Sequence, residues 1–350
     1  MAGGHESMPM LGVTYPGNNQ VLLKEFPIPK PGFQQVRVKE KAAGICGSDL
    51  HMMGWPGSPG AENRIQGHEP CGVIDELGPG CGFDLEVGQR ILICHSVGCG
   101  RCYWCRQGHF ELCEVPWPER KGWLSYSAFA DYVLYPDRNL LPLPDWMSYE
   151  VGAYLACGAG TAYTSIKKVA PTNRDTVICI GLGPVGLAGV AWAKALGATV
   201  IGADLAPYRL NLARTVGADM VINAKEENLV ERVMELTDRK GADAAIDYSA
   251  SAAGRTAMLD CLGVRGRACY VGETGQVTVD PSRQILGKQL TITGFRVFGI
   301  PELMEMTELI KEKKVPIEKL VTHRFRLTEI KEAIETFRNG NTGKVCIVWD

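Results

Sequence analysis

Apolar positions in this chain follow patterns that change along its length. Up to about residue 155 they sit in short β-branched runs, QQVRVKEKA (34–42), GVIDEL (72–77) and RILIC (90–94), parted by Gly- and Pro-rich turns. Such runs between turn residues read as strands, and no long helical period interrupts them, so an irregular β domain is expected. From about residue 156 the apolar residues come in unbroken runs: TVICI (176–180), TVIGA (199–203), MVIN (220–223), AAIDYS (244–249), ACYVG (268–272) and LTITG (290–294). Strands of a parallel sheet covered on both faces need that pattern. Helical segments lie between them, among them PVGLAGVAWAKALG (184–197) and PYRLNLARTVG (207–217), each closed by a Gly suited to a left-handed cap. The last fifty residues hold two amphipathic helices, 301–314 and 327–340, and a final strand, KVCIVW (344–349).

Composition narrows the class. A chain of 350 residues, 45% hydrophobic and 22% charged, is long enough for two domains with proper cores. A formal net charge of −2 gives no reason to expect nucleic acid or an anionic membrane as partner. Thirteen cysteines, an odd number with several in apolar runs (Cys179, Cys269), fit a reducing compartment, so a cytoplasmic location is expected. The start, MAGGHESMPM, lacks a basic region followed by an apolar stretch. Residues 176–193 are uncharged and long enough to raise the question of a membrane span, but their glycines and proline suit a buried strand, turn and helix, and a soluble protein.

Candidate chemistry begins with Cys99, Cys102, Cys105 and Cys113 in CGRCYWCRQGHFELC, at the spacing C-x2-C-x2-C-x7-C. Four thiolates from one loop can enclose a tetrahedral Zn²⁺ with no open position, as a structural site requires. An iron–sulfur centre is the alternative, since four thiolates also suit iron.

A second signal is Gly181-Leu182-Gly183-Pro184-Val185-Gly186, which follows one expected strand and opens a helix. That context marks a dinucleotide site: Gly181 permits a tight turn, Gly183 a close approach to pyrophosphate, and Gly186 helix-on-strand packing. Asp204, twenty-one residues past Gly183 at the end of the next expected strand, suits the ribose hydroxyls and repels a 2′-phosphate, favouring NAD over NADP. Arg209 complicates that choice, because it could accommodate a phosphate.

A second metal-capable set is scattered: Cys46, Ser48, Asp49 and His51 in GICGSDLH, then His68 and Glu69, then Cys157 in LACGAGTAY. A Cys2His set leaves one tetrahedral position free, as a catalytic zinc requires. The long gaps prevent spacing from establishing this site.

The segments GICGSDLH, GHEPCGVI, CGRCYWCRQGHFELC, LACGAGTAY and GLGPVG, in this order, resemble the zinc-dependent medium-chain alcohol dehydrogenases. The likeness covers essentially the whole chain after the first ten residues. It implies an α/β protein with a distorted β-barrel (GroES-like) catalytic domain from 1–157 and 299–350, and a Rossmann domain, a doubly wound parallel sheet, from 158–298. It implies catalytic zinc ligands Cys46, His68 and Cys157, with Glu69 able to approach the metal and Asp49 orienting His68. Ser48 and His51 match the family's proton relay, Thr161 and the backbone after Val271 match positions holding the nicotinamide, and Lys344 matches a phosphate contact. The implied reaction is transfer of hydride from a zinc-bound alcohol to NAD⁺, with two zincs per chain and a homodimer or homotetramer. Sorbitol and threonine dehydrogenases carry an acidic residue and a proline where this chain has Ala156 and Cys157, which counts against a polyol or threonine substrate. His95 matches a pocket-lining position and points to a substrate with a second polar group; a His bonded within its own loop is the alternative. Trp55, Trp117 and Trp123 lie in loops suited to wall the cleft beside Ser48; simple core packing is the alternative. A functionalised secondary alcohol is the expected substrate. A zinc-free reductase lacks a use for Cys46, His68 and Cys157, and a non-catalytic NAD-binding protein lacks one for Ser48 and His51.

Overall fold

The computed structural model describes residues 9–116 and 127–350. The chain opens on a hairpin of Met10–Gly17 and Gln20–Phe26, turned by Asn18 and Asn19 at φ 53° and 61°. Two consecutive positive φ values match the right-handed twist of the flanking strands, and Asn tolerates them best after Gly.

A seven-stranded sheet follows, built around Gln35–Gly44. That strand pairs antiparallel with Pro70–Leu77, with Tyr132–Pro136 and with the last strand, Lys344–Val348. Register shifts between Arg37 and Val38 and between Glu40 and Ala42 let it bend from one partner set to the next. Its alternate residues Val36, Val38, Glu40 and Ala42 are buried, the period-two pattern of a half-covered strand.

A second sheet is wholly parallel: Met220–Asn223, Thr199–Asp204, Thr176–Ile180, Ala242–Asp247, Leu262–Tyr270 and Thr291–Gly294, in that spatial order. Counted along the chain, the order is 3-2-1-4-5-6, which places a ligand crevice at the C-terminal ends of Thr176–Ile180 and Ala242–Asp247, where the winding reverses. Gly197 and Gly217 take the expected left-handed caps, at φ 90° and 113°. Among the described residues no helix is long and apolar enough to cross a membrane, and 176–193 resolves into the strand Thr176–Ile180, a turn and the helix Pro184–Ala195.

Between the sheets run two helices, Tyr149–Ala156 and Gly158–Val169, broken at Cys157, whose φ of −140° and ψ of −72° are not helical. The first lies inside the stretch read as β. It is buried on every side from Val151 to Ala156, so it shows no amphipathic stripe. The second is tied to Pro184–Ala195 by the Trp192 indole, which donates to the Ala159 carbonyl at 2.9 Å.

Candidate metal and nucleotide site

Cys46 caps the helix Gly47–Gly54, its own amide donating to Asp49 Oδ2 at 2.8 Å. The other oxygen of that fully buried carboxylate, Oδ1, lies 3.4 Å from His68 Nδ1. Asp49 thus fixes both the strand-to-helix turn that presents Cys46 and the ring of His68. His68 Nε2 faces away from Asp49 and lies 3.2 Å from Ser48 Oγ. Cys157, at the helix break, completes a cluster with Glu69: the ligand atoms of Cys46, His68, Glu69 and Cys157 all lie within 4.8 Å of one another.

Charges in this cluster are strongly coupled. Hydrogen bonding from Cys157 holds the Cys46 thiol well below the usual range, against the opposing effect of burial. The Cys157 thiol is raised by the same bond. Burial raises the Glu69 carboxyl to about 7, offset by the nearby Lys344 ammonium. Glu69 Oε1 is buried without a hydrogen-bond partner among the described residues. Two thiols, an imidazole nitrogen and an unpartnered carboxyl oxygen therefore converge where a divalent cation would satisfy them. The donor set fits zinc and leaves a position for substrate when Glu69 stays back.

Ser48 and His51 are three residues apart on one helix and share a face; His51 is exposed. His95 is nearly buried, with Nδ1 2.5 Å from the Ala156 carbonyl, next to Cys157. Its ring centre is 5.7 Å from that of His68, and burial pushes its pKa down to about 4. Its bonding partner thus comes from the metal-site helix rather than from its own loop. Trp55 is exposed and lines a cavity of about 590 Å³ with Tyr15, Met52, Arg64 and Tyr132, a cavity whose lining includes none of the four cluster residues. Trp117 and Trp123 lie outside the described residues.

Lys344 corrects an expectation. Its side chain is fully buried and its ammonium is engaged by Glu69 Oε2 and by the Ile45 carbonyl at 2.9 Å, so it is not free to hold a phosphate. The strand register turns it into the metal cluster instead.

The glycine loop has the shape a pyrophosphate needs. Gly181, at φ 87°, lies against Ser249, and a Cβ on Gly186 would sit 1.9 Å from the Gly181 carbonyl. A Cβ on Gly183 would meet nothing within 4 Å, which leaves backbone facing open space. Leu182 N donates to Asp204 Oδ2 at 2.6 Å, and Leu205 N and Ala206 N donate to Oδ1 at 2.8 and 2.9 Å. Asp204 therefore braces the loop as well as ending its strand. Pro184 and Val185 open the helix whose free amides face the crevice. Arg209 lies on the next helix, Pro207–Thr215, with its guanidinium near Gly340. Val271 follows the strand Leu262–Tyr270 at the C-terminal end of the parallel sheet, and Thr161 is one turn beyond Cys157, its amide donating to the Cys157 carbonyl.

Cys99, Cys102, Cys105 and Cys113 also converge within 4.8 Å, with Cys99 and Cys105 sulfurs 4.0 Å apart. Zn–S bonds of about 2.3 Å put tetrahedral sulfurs about 3.8 Å apart, so this cluster too fits zinc. Backbone amides, Glu114's first, lower the Cys102 thiol to about 6. All thirteen cysteines are free of disulfides.

Comparison with known proteins agrees with this geometry. A family model described as zinc-binding dehydrogenase matches residues 184–312, and one described as alcohol dehydrogenase GroES-like domain matches residues 32–145. An uncharacterized zinc-type alcohol dehydrogenase-like protein, YphC of Escherichia coli K12, is 38% identical over 97% of this chain and 98% of its own. An L-threonine 3-dehydrogenase of Pyrococcus horikoshii is 34% identical over 97% of this chain and 98% of its own. The benzyl alcohol dehydrogenase of Acinetobacter calcoaceticus has a solved structure that superposes with a TM-score of 0.88 at 27% identity, covering 98% of this chain and 100% of that one.

Proposed function

This chain belongs to the zinc-dependent medium-chain alcohol dehydrogenase family and is an oxidoreductase of that kind; on that premise we propose that it oxidises a functionalised secondary alcohol with NAD⁺. The observation that carries the reading is the convergence of Cys46, His68, Glu69 and Cys157, with Ser48 Oγ 3.2 Å from His68 Nε2. When bound, zinc supplies Lewis acidity that eases deprotonation of an alcohol, and NAD⁺ supplies the hydride acceptor. Cys46, His68 and Cys157 hold the catalytic ion, and the four-thiol loop holds a second, structural one. Ser48 takes the substrate's hydroxyl proton and passes it toward His51, whose exposure gives the proton an exit. Residues 181–186 orient the pyrophosphate, and Asp204 accepts the ribose hydroxyls while repelling a 2′-phosphate, which supports NAD over NADP. Thr161, Arg209 and Val271 border the rest of the nucleotide.

The division into a barrel unit, 1–157 and 299–350, and a nucleotide unit, 158–298, draws support from the last strand, which returns to pair with Gln35–Gly44. The free thiols fit a reducing, cytoplasmic setting, and assembly as a dimer or tetramer follows the family.

A threonine or polyol substrate is the second reading, favoured by the threonine dehydrogenase relative. NADH formation across secondary alcohols, polyols, threonine and hydroxy acids, with and without a strong chelator, tests both. Chelator-sensitive turnover of a simple functionalised alcohol supports the first reading. Turnover confined to threonine or sorbitol supports the second, and chelator-resistant turnover rejects the zinc mechanism.

A further inference from the structure

Glu69 poses a problem for an open metal site. Its carboxyl lies among the ligand atoms of Cys46, His68 and Cys157, all within 4.8 Å, so it stands within reach of the position a substrate oxygen needs. A carboxylate that moved in permanently would convert the open site into a closed one.

Lys344 stands where it can prevent this. Its ammonium contacts Glu69 Oε2, donates to the Ile45 carbonyl at 2.9 Å and lies 5.1 Å from the centre of the Tyr154 ring. Ile45 directly precedes the ligand Cys46, so the ammonium is anchored to the same backbone that presents a thiolate. Tyr154 donates its hydroxyl to the Pro184 carbonyl, so the third wall of the cage is braced by the nucleotide loop. Glu69 and Lys344 are both fully buried. Gly44 leaves the space they fill: a Cβ there would lie 1.9 Å from Glu69 Oε2 and 2.5 Å from Lys344 Cε. A buried ion pair is a poor way to gain stability, because desolvation of both charges offsets their attraction. Its location against the ligands suggests a positional use.

We propose that Lys344 is a positioning residue that holds Glu69 off the metal and so keeps the fourth ligand position open. This rests on the zinc dehydrogenase reading above. Without the ammonium, Glu69 has a buried, unpaired charge beside a cation, and binding the metal is its nearest compensation.

The test uses the purified holoenzyme at pH 8. Metal content is measured first, then the rate of zinc transfer to a coloured chelator; the kinetic phase missing from Cys46→Ser reports the catalytic site. Lys344→Met should slow that phase roughly tenfold or more, the scale typical of changes beside metal ligands, while lowering kcat. Lys344→Arg should release metal at the wild-type rate, and Lys344→Met combined with Glu69→Gln should return to it. Lys344→Gln repeats the experiment should the Met variant fail to fold. Wild-type release from Lys344→Met and Lys344→Gln overturns the proposal, as does slow release that persists without the Glu69 carboxylate. If wild-type protein binds metal in the four-thiol loop alone, the functional reading itself falls; two metals with an indifferent Lys344 sink only this inference.

Discussion

Asp49 and His68 meet at 3.4 Å between Oδ1 and Nδ1, and the same carboxylate takes the Cys46 amide through its other oxygen. One buried side chain thus orients two of the metal-capable residues. Asp49→Asn keeps the shape and removes the charge. Zinc affinity, measured by competition with a chelator of known strength, should fall about 10- to 100-fold. Unchanged affinity would show that Asp49 serves the helix cap alone.

The two thiol clusters should fail differently. Cys46→Ser should lower turnover by about 10³-fold or more, the equivalent of several kcal/mol of transition-state stabilisation, with the melting temperature little changed. Cys105→Ser, in the buried part of the four-thiol loop, should instead lower the melting temperature and shift the oligomer distribution in sizing experiments. A fully active Cys46→Ser protein would refute the ligand assignment.

Cofactor choice should turn on Asp204. Its carboxylate braces Leu182 at the end of its strand, so Asp204→Asn should lower kcat/KM for NAD⁺ by roughly 10- to 100-fold, the worth of a charge-assisted hydrogen bond. The ratio of NADP⁺ to NAD⁺ activity should rise, because the repulsion of a 2′-phosphate is gone. An unaltered ratio would mean that Arg209, not Asp204, reads that part of the nucleotide.

Acid should act partly through His95. Burial pushes its pKa from 6.5 to about 4, so it stays neutral in the fold while the unfolded chain takes up a proton below 6.5. The unfolded state therefore binds more protons between pH 6.5 and 4, and stability falls as pH drops through that window. The full effect is about 3 kcal/mol. Urea midpoints at pH 7.5 and 4.5 should differ less in His95→Gln than in the wild type. An equal loss in both would assign the acid sensitivity to other groups.

Local chemistry was the most legible part of this molecule. The four thiols and the glycine loop work as contiguous units, so their spacing alone carries the geometry that the fold displays. Cys46, His68 and Cys157 come from a strand-to-helix turn, a loop and a helix break; only resemblance joined them before the fold did. Resemblance alone assigns Lys344 to a phosphate; nothing in KVCIVW reveals that the strand buries it, and lysine is almost never fully buried. The helix Tyr149–Ala156 escaped because burial on all sides erases helical periodicity. Tyr154, and the Ile45 and Ala156 carbonyls that anchor Lys344 and His95, left no sequence signal, since two of the three contribute only backbone.

The seating of Lys344–Val348 between Val321–Phe325 and Gln35–Gly44 has a consequence for biosynthesis. The central strand of the first sheet is made early on the ribosome, yet Lys344 follows Ile45 by 299 residues. The parallel sheet can form before that strand is made, whereas the Cys46 edge must wait for it. Until then Glu69 has no ammonium beside it, and reduced thiols stay open to any passing metal ion. Metal supply and chaperone protection therefore matter most before that strand has docked.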